Sequence, residues 1–226
     1  SGGDWVQLGS DIDGEAAEDN SGRSVSLSSD GTIVAIGANE NDGSGDNYGH
    51  VRVYEYSGDD WVQLGSDIDG EAAWDWSGYS VSLSSDGTIV AIGATRNDGS
   101  GNNTGGHVRV YEYSGGDWVQ LGSDIDGEAA WEWSGRSVSL SSDGTIVAIG
   151  ANGNDGSGED AGHVRVYEYS GGDWVQLGSD IDGEAAFDNS GWSISLSSDG
   201  MIVAIGARGN DGSGNNTGGH VRVYEY

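Results

Sequence analysis

The sequence predicts an all-β fold, and three observations lead to that prediction. The stretch Ser24–Ala38, SVSLSSDGTIVAIGA, reads as two short strands joined by Asp30-Gly31. Asp-Gly between apolar-rich runs is the strongest short-range signal for a hairpin with a type I′ turn. The same hairpin returns three times, at Ser80–Ala94, Ser137–Ala151 and Ser193–Ala207. Finally, no segment shows the apolar period of 3.6 residues that an amphipathic helix requires.

The chain divides into four consecutive repeats, which are residues 1–56, 57–113, 114–169 and 170–226. The repeats abut without linkers, so we expect a single domain over residues 1–226. Each repeat contains four strand-like segments, which in the first repeat are WVQLG, SVSLS, TIVAIGA and HVRVYEY. Four strands in a repeat of this length are typical of a propeller blade. The sequence therefore predicts a β-propeller with four four-stranded blades.

The order of the strands also predicts how the ring closes. If SVSLS is the innermost strand of a blade and WVQLG the outermost, the chain begins with an outer strand. We therefore expect the segment Trp5–Leu8 to pair with His220–Tyr226 and complete the last blade. Such a closure removes an exposed sheet edge. A single ring is the favoured arrangement, and a dimer that forms an eight-bladed ring is the alternative.

The charge of the chain restricts its partners. The formal net charge is −30, and all eight basic residues are arginines. Nucleic acid and anionic membranes are not expected as partners, because phosphate binding needs basic patches. No apolar run approaches the length of a membrane span, so no membrane insertion is expected. The acidity itself favours solubility, and divalent-cation binding is the alternative interpretation.

Differences between the repeats concentrate in two loops, which we call the first and second variable loops. In the first repeat they cover residues 13–23, before the inner strand, and residues 39–49, after the next strand. Because the strands of a blade alternate in direction, both loops should emerge on the same face, which we call the loop face. The turns of the opposite face hardly vary. Binding residues lie disproportionately on loops that a rigid scaffold holds.

We predict that the variable residues form a ligand-binding face, because aromatic and arginine side chains dominate them. Neutral drift of the loops, or packing between blades, is the alternative explanation. The first variable loops contribute Glu18, Asn20, Arg23, Trp74, Trp76, Tyr79, Trp131, Trp133, Arg136, Phe187, Asn189 and Trp192, and the second contribute Arg96 and Arg208. Since the second and third repeats are adjacent, their aromatic loops should form one continuous patch.

The second variable loops are also candidate calcium sites. Asp42, Ser44 and Asp46 place oxygen donors at alternate positions, a spacing by which a short loop can wrap a hard cation. The equivalent residues of the other repeats are Asp98, Ser100, Asn102, Asp155, Ser157, Glu159, Asp211, Ser213 and Asn215. Calcium is the one cofactor that the sequence indicates. The alternative is a turn held by Asx-type local hydrogen bonds.

Polar residues that recur unchanged in every repeat are interpreted as structural. His50 is expected to make a structural hydrogen bond, and Arg52 to pair with carboxylates of its own or a neighbouring blade. Their equivalents are His107, His163, His220, Arg109, Arg165 and Arg222. Catalysis is not expected, because a nucleophile, its base and an oxyanion site must differ from one another and converge. The constant acids instead recur symmetrically, and no histidine is unique.

The unit resembles the FG-GAP repeat, the blade of propellers similar to those of integrin α-chains. The residues that carry the resemblance are SGRSVSLSSDGTIVAIGA followed by GHVRVYEY, with WVQLGSDIDGEAA ahead of them, in all four repeats. The resemblance implies a β-propeller that is extracellular and adhesive or ligand-binding. Two features depart from the family. Ser29-Asp30-Gly31 replaces the calcium loop between the first two strands, and only four repeats stand where the family commonly has seven blades.

These observations lead to an expected function as a non-enzymatic binding or adhesion module, either lectin-like or protein-binding. Aromatic rings beside Asp, Glu and Asn suit sugars, whose C–H faces stack on the rings. Trp, Tyr and Arg also dominate protein–protein hot spots. The expected partner is a glycan or an extracellular protein, and the expected location is extracellular or at the cell surface. The alternative is a structural or engineered repeat scaffold with no specific small ligand.

Overall fold

The structure, a computed structural model, describes residues 3–98, 104–210 and 218–226. These residues form 18 β-strands and no α-helix, which confirms the all-β prediction. They accordingly contain no helix of the length and hydrophobicity that crossing a bilayer requires. The strands assemble into four antiparallel sheets, one for each repeat.

The first three sheets have five strands each and the fourth has three. The first sheet consists of β1 (Ser24–Leu27), β2 (Ile33–Ala38), β3 (His50–Ser57), β4 (Asp60–Gln63) and β5 (Ile68–Asp69). The second consists of β6 (Ser77–Leu83), β7 (Ile89–Ala94), β8 (His107–Ser114), β9 (Asp117–Gln120) and β10 (Ile125–Asp126). The third consists of β11 (Ser137–Leu140), β12 (Ile146–Ala151), β13 (His163–Ser170), β14 (Asp173–Gln176) and β15 (Ile181–Asp182). The fourth consists of β16 (Ser190–Leu196), β17 (Ile202–Ala207) and β18 (His220–Glu225).

Each full sheet takes its strands from two repeats. In the first sheet the order is β1-β2-β3-β4, and the two-residue strand β5 pairs with the other end of β3. Strands β1 to β3 come from the first repeat, whereas β4 and β5 belong to the second. The predicted unit of four antiparallel strands is confirmed, with its outer strand supplied by the following repeat.

The turn at Asp30-Gly31 differs from the type I′ turn that the sequence predicts. Of these two residues, only Gly31 has a positive φ, of 74°. The Asp30 carboxylate accepts hydrogen bonds from Thr32 N and from the hydroxyls of Ser28 and Thr32. These hydrogen bonds hold a loop that is wider than a type I′ turn. These hydrogen bonds lower the pKa of Asp30. The turn with two positive φ angles lies instead between β3 and β4, at Gly58-Asp59, where the angles are 63° and 70°.

The hydrophobic core lies between successive sheets. Between the first and second sheets, Val51 and Val53 of β3 pack with Val81 and Leu83 of β6, together with Val90 of β7. The next two interfaces repeat this packing with equivalent residues. The backbones approach closely, since a β-carbon on Gly37 would lie 2.1 Å from the carbonyl oxygen of Gly78. Aliphatic burial between neighbouring sheets therefore joins the repeats.

Hydrogen bonds between corresponding serines reinforce each interface. On the face opposite the variable loops, Ser29 N donates to Ser85 O, Ser85 N to Ser142 O and Ser142 N to Ser198 O, each at 2.8 Å. Within the interfaces, Ser24 Oγ donates to Gly78 O, and its equivalents in the second and third repeats do the same. Every repeat is thus linked to the next by the same polar contacts.

The predicted closure by the N-terminal segment is absent. Residues 5–8 form no strand, and Trp5 is fully exposed. The segment instead lies beside the first sheet, because Trp61 Nε1 donates to Leu8 O at 2.9 Å and Ser10 N donates to the Asp60 carboxylate. The described residues therefore form four adjacent sheets of a propeller-like array, and these residues do not close a ring.

Candidate functional site

Residues at the start of the inner strands of adjacent repeats stack on one another. They are Arg23, Tyr79, Arg136 and Trp192. The guanidinium carbon of Arg23 lies 4.0 Å from the centroid of the Tyr79 ring. Arg136 lies between two rings, 4.9 Å from the Tyr79 centroid and 3.8 Å from that of Trp192. Cation–π contacts within about 6 Å are attractive. Predicted binding residues from all four repeats thus meet in one continuous stack.

Two further arginines, from the second variable loops, join this stack. Arg96 lies 3.7 Å from the Trp76 ring and Arg208 lies 3.3 Å from the Trp192 ring. The Trp76 and Tyr79 rings are nearly parallel, with centroids 6.3 Å apart. The group encloses a cavity of about 250 Å³, which we call the arginine–aromatic cleft. Its lining residues are Trp76, Tyr79, Thr95, Arg96, Trp133, Arg136 and Trp192.

The stack around the cleft concentrates positive charge in a strongly acidic protein. Arg23, Arg96, Arg136 and Arg208 are half of the basic residues of a chain with net charge −30. Within the described part of the chain, none of the four has a carboxylate within 4.0 Å, because every arginine ion pair involves the constant arginines. Burial, followed by repulsion from Arg23 and Arg208, lowers the pKa of Arg136 to about 10. Arg136 therefore remains charged at neutral pH.

Three other predicted residues form an exposed rim outside the cleft. Trp74, Trp131 and Phe187 are exposed, and Glu18 takes the corresponding place in the first repeat. The backbone fixes their positions, since Trp74 N donates to Asp46 O at 2.9 Å and Phe187 N to Glu159 O at 2.7 Å. We call Trp74, Trp131 and Phe187 the rim aromatics. The structure thus separates the predicted aromatic patch into a cleft and a rim.

The backbone of the first variable loop is left-handed at two positions in every repeat. Trp74 and Trp76 have φ angles of 71° and 59°, and Trp131 and Trp133 have 66° and 56°. Such angles are outliers for bulky residues, whereas asparagine tolerates them better. At the position of Trp76 and Trp133, the first and fourth repeats have Asn20 and Asn189. Strained residues of this kind cluster at functional sites, which argues against drift as the origin of these tryptophans.

Trp76 carries a second unfavourable feature. Its indole Nε1 is buried and has no hydrogen-bond partner among the described residues. An unsatisfied buried donor costs about 1 to 3 kcal/mol. The cleft therefore contains a polar donor that the folded chain itself leaves unused.

A buried carboxylate in each repeat ties the two variable loops together, and the sequence analysis missed it. Asp75 is buried and accepts hydrogen bonds from Ala72 N at 2.8 Å and from Asn97 Nδ2 at 3.0 Å. Burial raises the pKa of Asp75. The equivalent acids are Asp19, Glu132 and Asp188. An acid at the same place among the variable residues of every repeat was the signal that could have identified this role.

In the proposed calcium loops, the described aspartates bond within their own loop. Asp42 Oδ1 accepts a hydrogen bond from Asn47 N at 2.7 Å, and Asp155 Oδ1 accepts one from Asp160 N at 2.8 Å. Asp98 accepts one from Thr104 N. Ser44 and Ser157 also donate to protein oxygens. Five residues of the prediction, Ser100, Asn102, Asp211, Ser213 and Asn215, lie outside the described residues. Calcium binding therefore stays a prediction.

The constant arginines pair with carboxylates, as the sequence predicts. Arg109 Nη1 lies 3.7 Å from Glu71 Oε1, and Arg109 Nη2 donates to Asp69 O at 2.7 Å. The adjacent histidine, His107, is buried, but its Nδ1 has no hydrogen-bond partner among the described residues, so they do not form the predicted hydrogen bond at this atom. Burial, followed by the charge of Arg109, lowers the pKa of His107 to about 4. In the third repeat, burial, followed by the charge of Arg165, likewise lowers the pKa of His163 to about 4.

Comparisons with known proteins identify the fold but no family. No protein-family model matches the chain, so the resemblance to FG-GAP repeats gains no support, and no curated protein matches it. Hydrazine synthase from Kuenenia stuttgartiensis is structurally similar, with a TM-score of 0.55 and 16% identity over 89% of this chain and 58% of that one. So is a putative 6-phosphogluconolactonase from Bacteroides uniformis, with a TM-score of 0.58 and 14% identity over 89% of this chain and 49% of that one.

These similarities support a β-propeller-like fold, and this chain spans about half the length of the solved chains. They also correct one prediction. The expectation that the chain is not an enzyme is contradicted, because a chain with the same kind of fold is described as a lactonase. At 14% identity the likeness shows the fold alone and assigns no reaction to this chain.

Proposed function

We propose that the chain is a binding module whose ligand occupies the arginine–aromatic cleft on the loop face. One observation supports this proposal above the others. All four arginines outside the constant set join one stack of aromatic rings, and two of them, Arg96 and Arg136, line its cavity, although the chain has a net charge of −30. Clustered guanidinium groups repel one another, so a bound anion would stabilise the arrangement.

The side chains of the cleft favour an acidic saccharide as the ligand. A guanidinium group that stacks on a ring keeps its N–H edge free, and that edge matches carboxylate or sulfate oxygens in a bidentate manner. Trp133 lines the cleft and is partly exposed, so its ring is available to the C–H face of a sugar. This function agrees with a lectin-like role at a cell surface, as the FG-GAP resemblance implies.

The rim aromatics favour a protein ligand as the second candidate. Trp74, Trp131 and Phe187 are exposed, and exposed aromatic residues are frequent anchors at protein–protein interfaces. A protein ligand would bury the rim, whereas a saccharide would fill the cleft. The alternative of a repeat scaffold without a ligand predicts that neither group matters for binding.

A glycan array with matched neutral and acidic saccharides tests the proposal. We expect acidic saccharides to bind and Arg136→Gln to weaken their binding by about 2 kcal/mol, roughly thirtyfold, because the half-buried guanidinium is central to the cleft. Ser198→Asp is the control, since it changes the net charge equally on the exposed opposite face. Equal binding by both variants, or no binding of acidic saccharides, would contradict the proposal.

A double variant, Trp74→Ala with Trp131→Ala, separates the two candidate ligands. A saccharide held in the cleft should bind this variant with nearly unchanged affinity. A protein ligand anchored on the rim should lose most of its affinity. Binding to immobilised extracellular proteins provides the second measurement.

A further inference from the structure

A tryptophan from the outer strand completes each of the first two interfaces between sheets. Trp118 of β9 packs against the core between the first and second sheets, and its Nε1 donates to Leu64 O at 2.8 Å. Trp174 of β14 packs in the same way at the next interface and donates to Leu121 O at 2.8 Å. Each of these tryptophans fills a slot between neighbouring outer strands, which we call the tryptophan slot.

The third interface has this slot but no tryptophan. The described fourth sheet has three strands, and its core cluster with the third sheet contains Leu196, Val203 and Tyr224 without an indole. Where the tryptophan would lie there is a cavity of about 190 Å³. Its lining includes Val166, Leu177, Ile181, Leu196, Val203 and Tyr224, the equivalents of residues that surround Trp118.

The N-terminal segment has the same sequence as the outer strand of the second sheet and carries a tryptophan, Trp5. Residues 4–8, DWVQL, are identical to residues 117–121, which include β9. Trp5 is fully exposed in the structure. In the second sheet, Tyr113 pairs with Trp118 and Tyr111 with Gln120. The same register would place Trp5 opposite Tyr226 and Gln7 opposite Tyr224, with the Trp5 indole within reach of Leu177 O.

The two end sheets also expose complementary apolar faces. Val221 of β18 is 68% exposed, whereas its equivalents Val51, Val108 and Val164 are fully buried. At the other end, Val25 of β1 is 64% exposed, whereas Val81 is 9% exposed. In the interior interfaces these two kinds of face pack on each other, as Val51 and Val81 do. The first and fourth sheets therefore present the two halves of an interface that the chain forms three times within itself.

The stack of arginine and aromatic residues would also continue across a contact between the fourth sheet of one chain and a first sheet. Arg136 lies between aromatic rings of both neighbouring repeats, whereas Arg23 contacts Tyr79 on one side. The alternation of Arg23, Tyr79, Arg136 and Trp192 would continue without a break if Trp192 met another Arg23. The junction would thus also extend the cleft.

We propose that a second copy of this chain occupies these faces, and that two copies join head to tail into one ring. The N-terminal segment of each copy fills the tryptophan slot of the other and pairs with its β18. The inference rests on continuity with the three interior interfaces, and it is independent of the ligand proposed for the cleft. A head-to-tail interface closes into a ring only if both junctions form. In such a ring each copy supplies four sheets and no end sheet remains exposed.

Sedimentation equilibrium and native mass spectrometry of the intact chain test this proposal. We expect a species of twice the chain mass of 23.3 kDa. Trp5→Ala should yield monomers with unchanged circular dichroism, since Trp5 is fully exposed and the variant has no reason to unfold. Val221→Glu, an exposed position at the other end, should also yield monomers.

Mixing the two variants gives the sharpest result. Each variant retains one intact face, and these faces are complementary, so an equimolar mixture should form a dimer although neither variant does so alone. Monomeric wild-type protein, open-ended polymers, or a Trp5→Ala protein that remains dimeric would overturn the proposal.

Discussion

The two sets of arginines use the same side chain in opposite ways. Arg109 is buried, donates to the Asp69 carbonyl oxygen and faces the Glu71 carboxylate. Arg136, in the variable set, lies between the rings of Tyr79 and Trp192 and has no carboxylate within 4.0 Å among the described residues. Each constant arginine therefore directs terminal guanidinium N–H groups to oxygen atoms of the fold. In the proposed function, the variable arginines keep their N–H groups for the ligand.

This difference shows that constancy between repeats marks scaffold residues in this chain. A residue that every repeat needs for its own sheet cannot vary, whereas a residue on the rigid loop face can. The comparison leads to three predictions, which follow in order of expected effect.

The largest effect is expected from removing a constant arginine. Arg109→Leu should lower the free energy of unfolding by about 3 kcal/mol, because it leaves the Glu71 carboxylate and the Asp69 carbonyl without their partner. Urea denaturation measures this loss. Arg136→Gln is the matched control and should stay within about 0.5 kcal/mol of the wild type. If both variants were destabilised equally, the constant and the variable arginines would not differ in their contribution to the stability of the fold.

An intermediate effect is expected from the pH dependence of His107. Its folded-state pKa is about 4 because of burial and the nearby Arg109, whereas an unfolded histidine titrates near 6.5. As the pH falls from 6.5 to 4, the unfolded chain takes up a proton that the folded chain does not. Each unit by which the pH falls within this window therefore lowers the free energy of unfolding by at most about 1.4 kcal/mol. The stability that the uncharged His107 contributes is fully present above pH 6.5.

The variant His107→Gln isolates this contribution. The carboxylates near His107 are Glu71 and Asp124, and burial raises the pKa of Glu71, which opposes the loss on acidification. Both proteins share these carboxylates, so the difference between their slopes reports on His107. Urea denaturation at pH 7, 6 and 5 should give a shallower slope for the variant, and identical slopes would contradict the prediction.

The smallest effect is expected at a variable position. Trp76→Asn places in the second repeat the residue that the first and fourth repeats already have, at a φ angle of 59° that asparagine tolerates. The variant removes the backbone strain and the buried indole N–H that has no partner, but it also loses the packing of the Trp76 ring. The net effect should be a free energy of unfolding that is about 0.5 kcal/mol higher. Saccharide binding should weaken at the same time. A clear loss of stability would show that Trp76 serves packing between blades.

Local structure was largely predictable from the sequence. The strands β2, β3 and their equivalents follow from short apolar or alternating runs bounded by glycine, because a two-residue period is local information. The turn at Asp30 was not predicted correctly, since its carboxylate accepts three hydrogen bonds that the Asp-Gly signal does not encode. The loop face was predicted, because strand alternation fixes which loops share a side.

Contacts between repeats were not predictable in the same way. Arg136 contacts Tyr79 and Trp192 because neighbouring sheets place equivalent positions side by side. The distance between equivalent positions of two sheets cannot be read from the sequence. The alternation of arginine and aromatic residues at positions 23, 79, 136 and 192 was a visible signal, but it acquires meaning only once these positions are known to stack. Pairing of Trp5 was predicted within the chain, and the structure does not form it.

The chain of hydrogen bonds from Ser29 through Ser85 and Ser142 to Ser198 has a consequence for how the molecule opens. Each bond couples one sheet only to the next, so cooperativity should pass between nearest neighbours, as in a linear array. A sheet with neighbours on both sides is held by two couplings, whereas an end sheet is held by one. In the monomeric Trp5→Ala variant, amide protons of β1 and β18 should therefore exchange with solvent through local opening, while those of β7 and β12 should exchange only when the whole array unfolds.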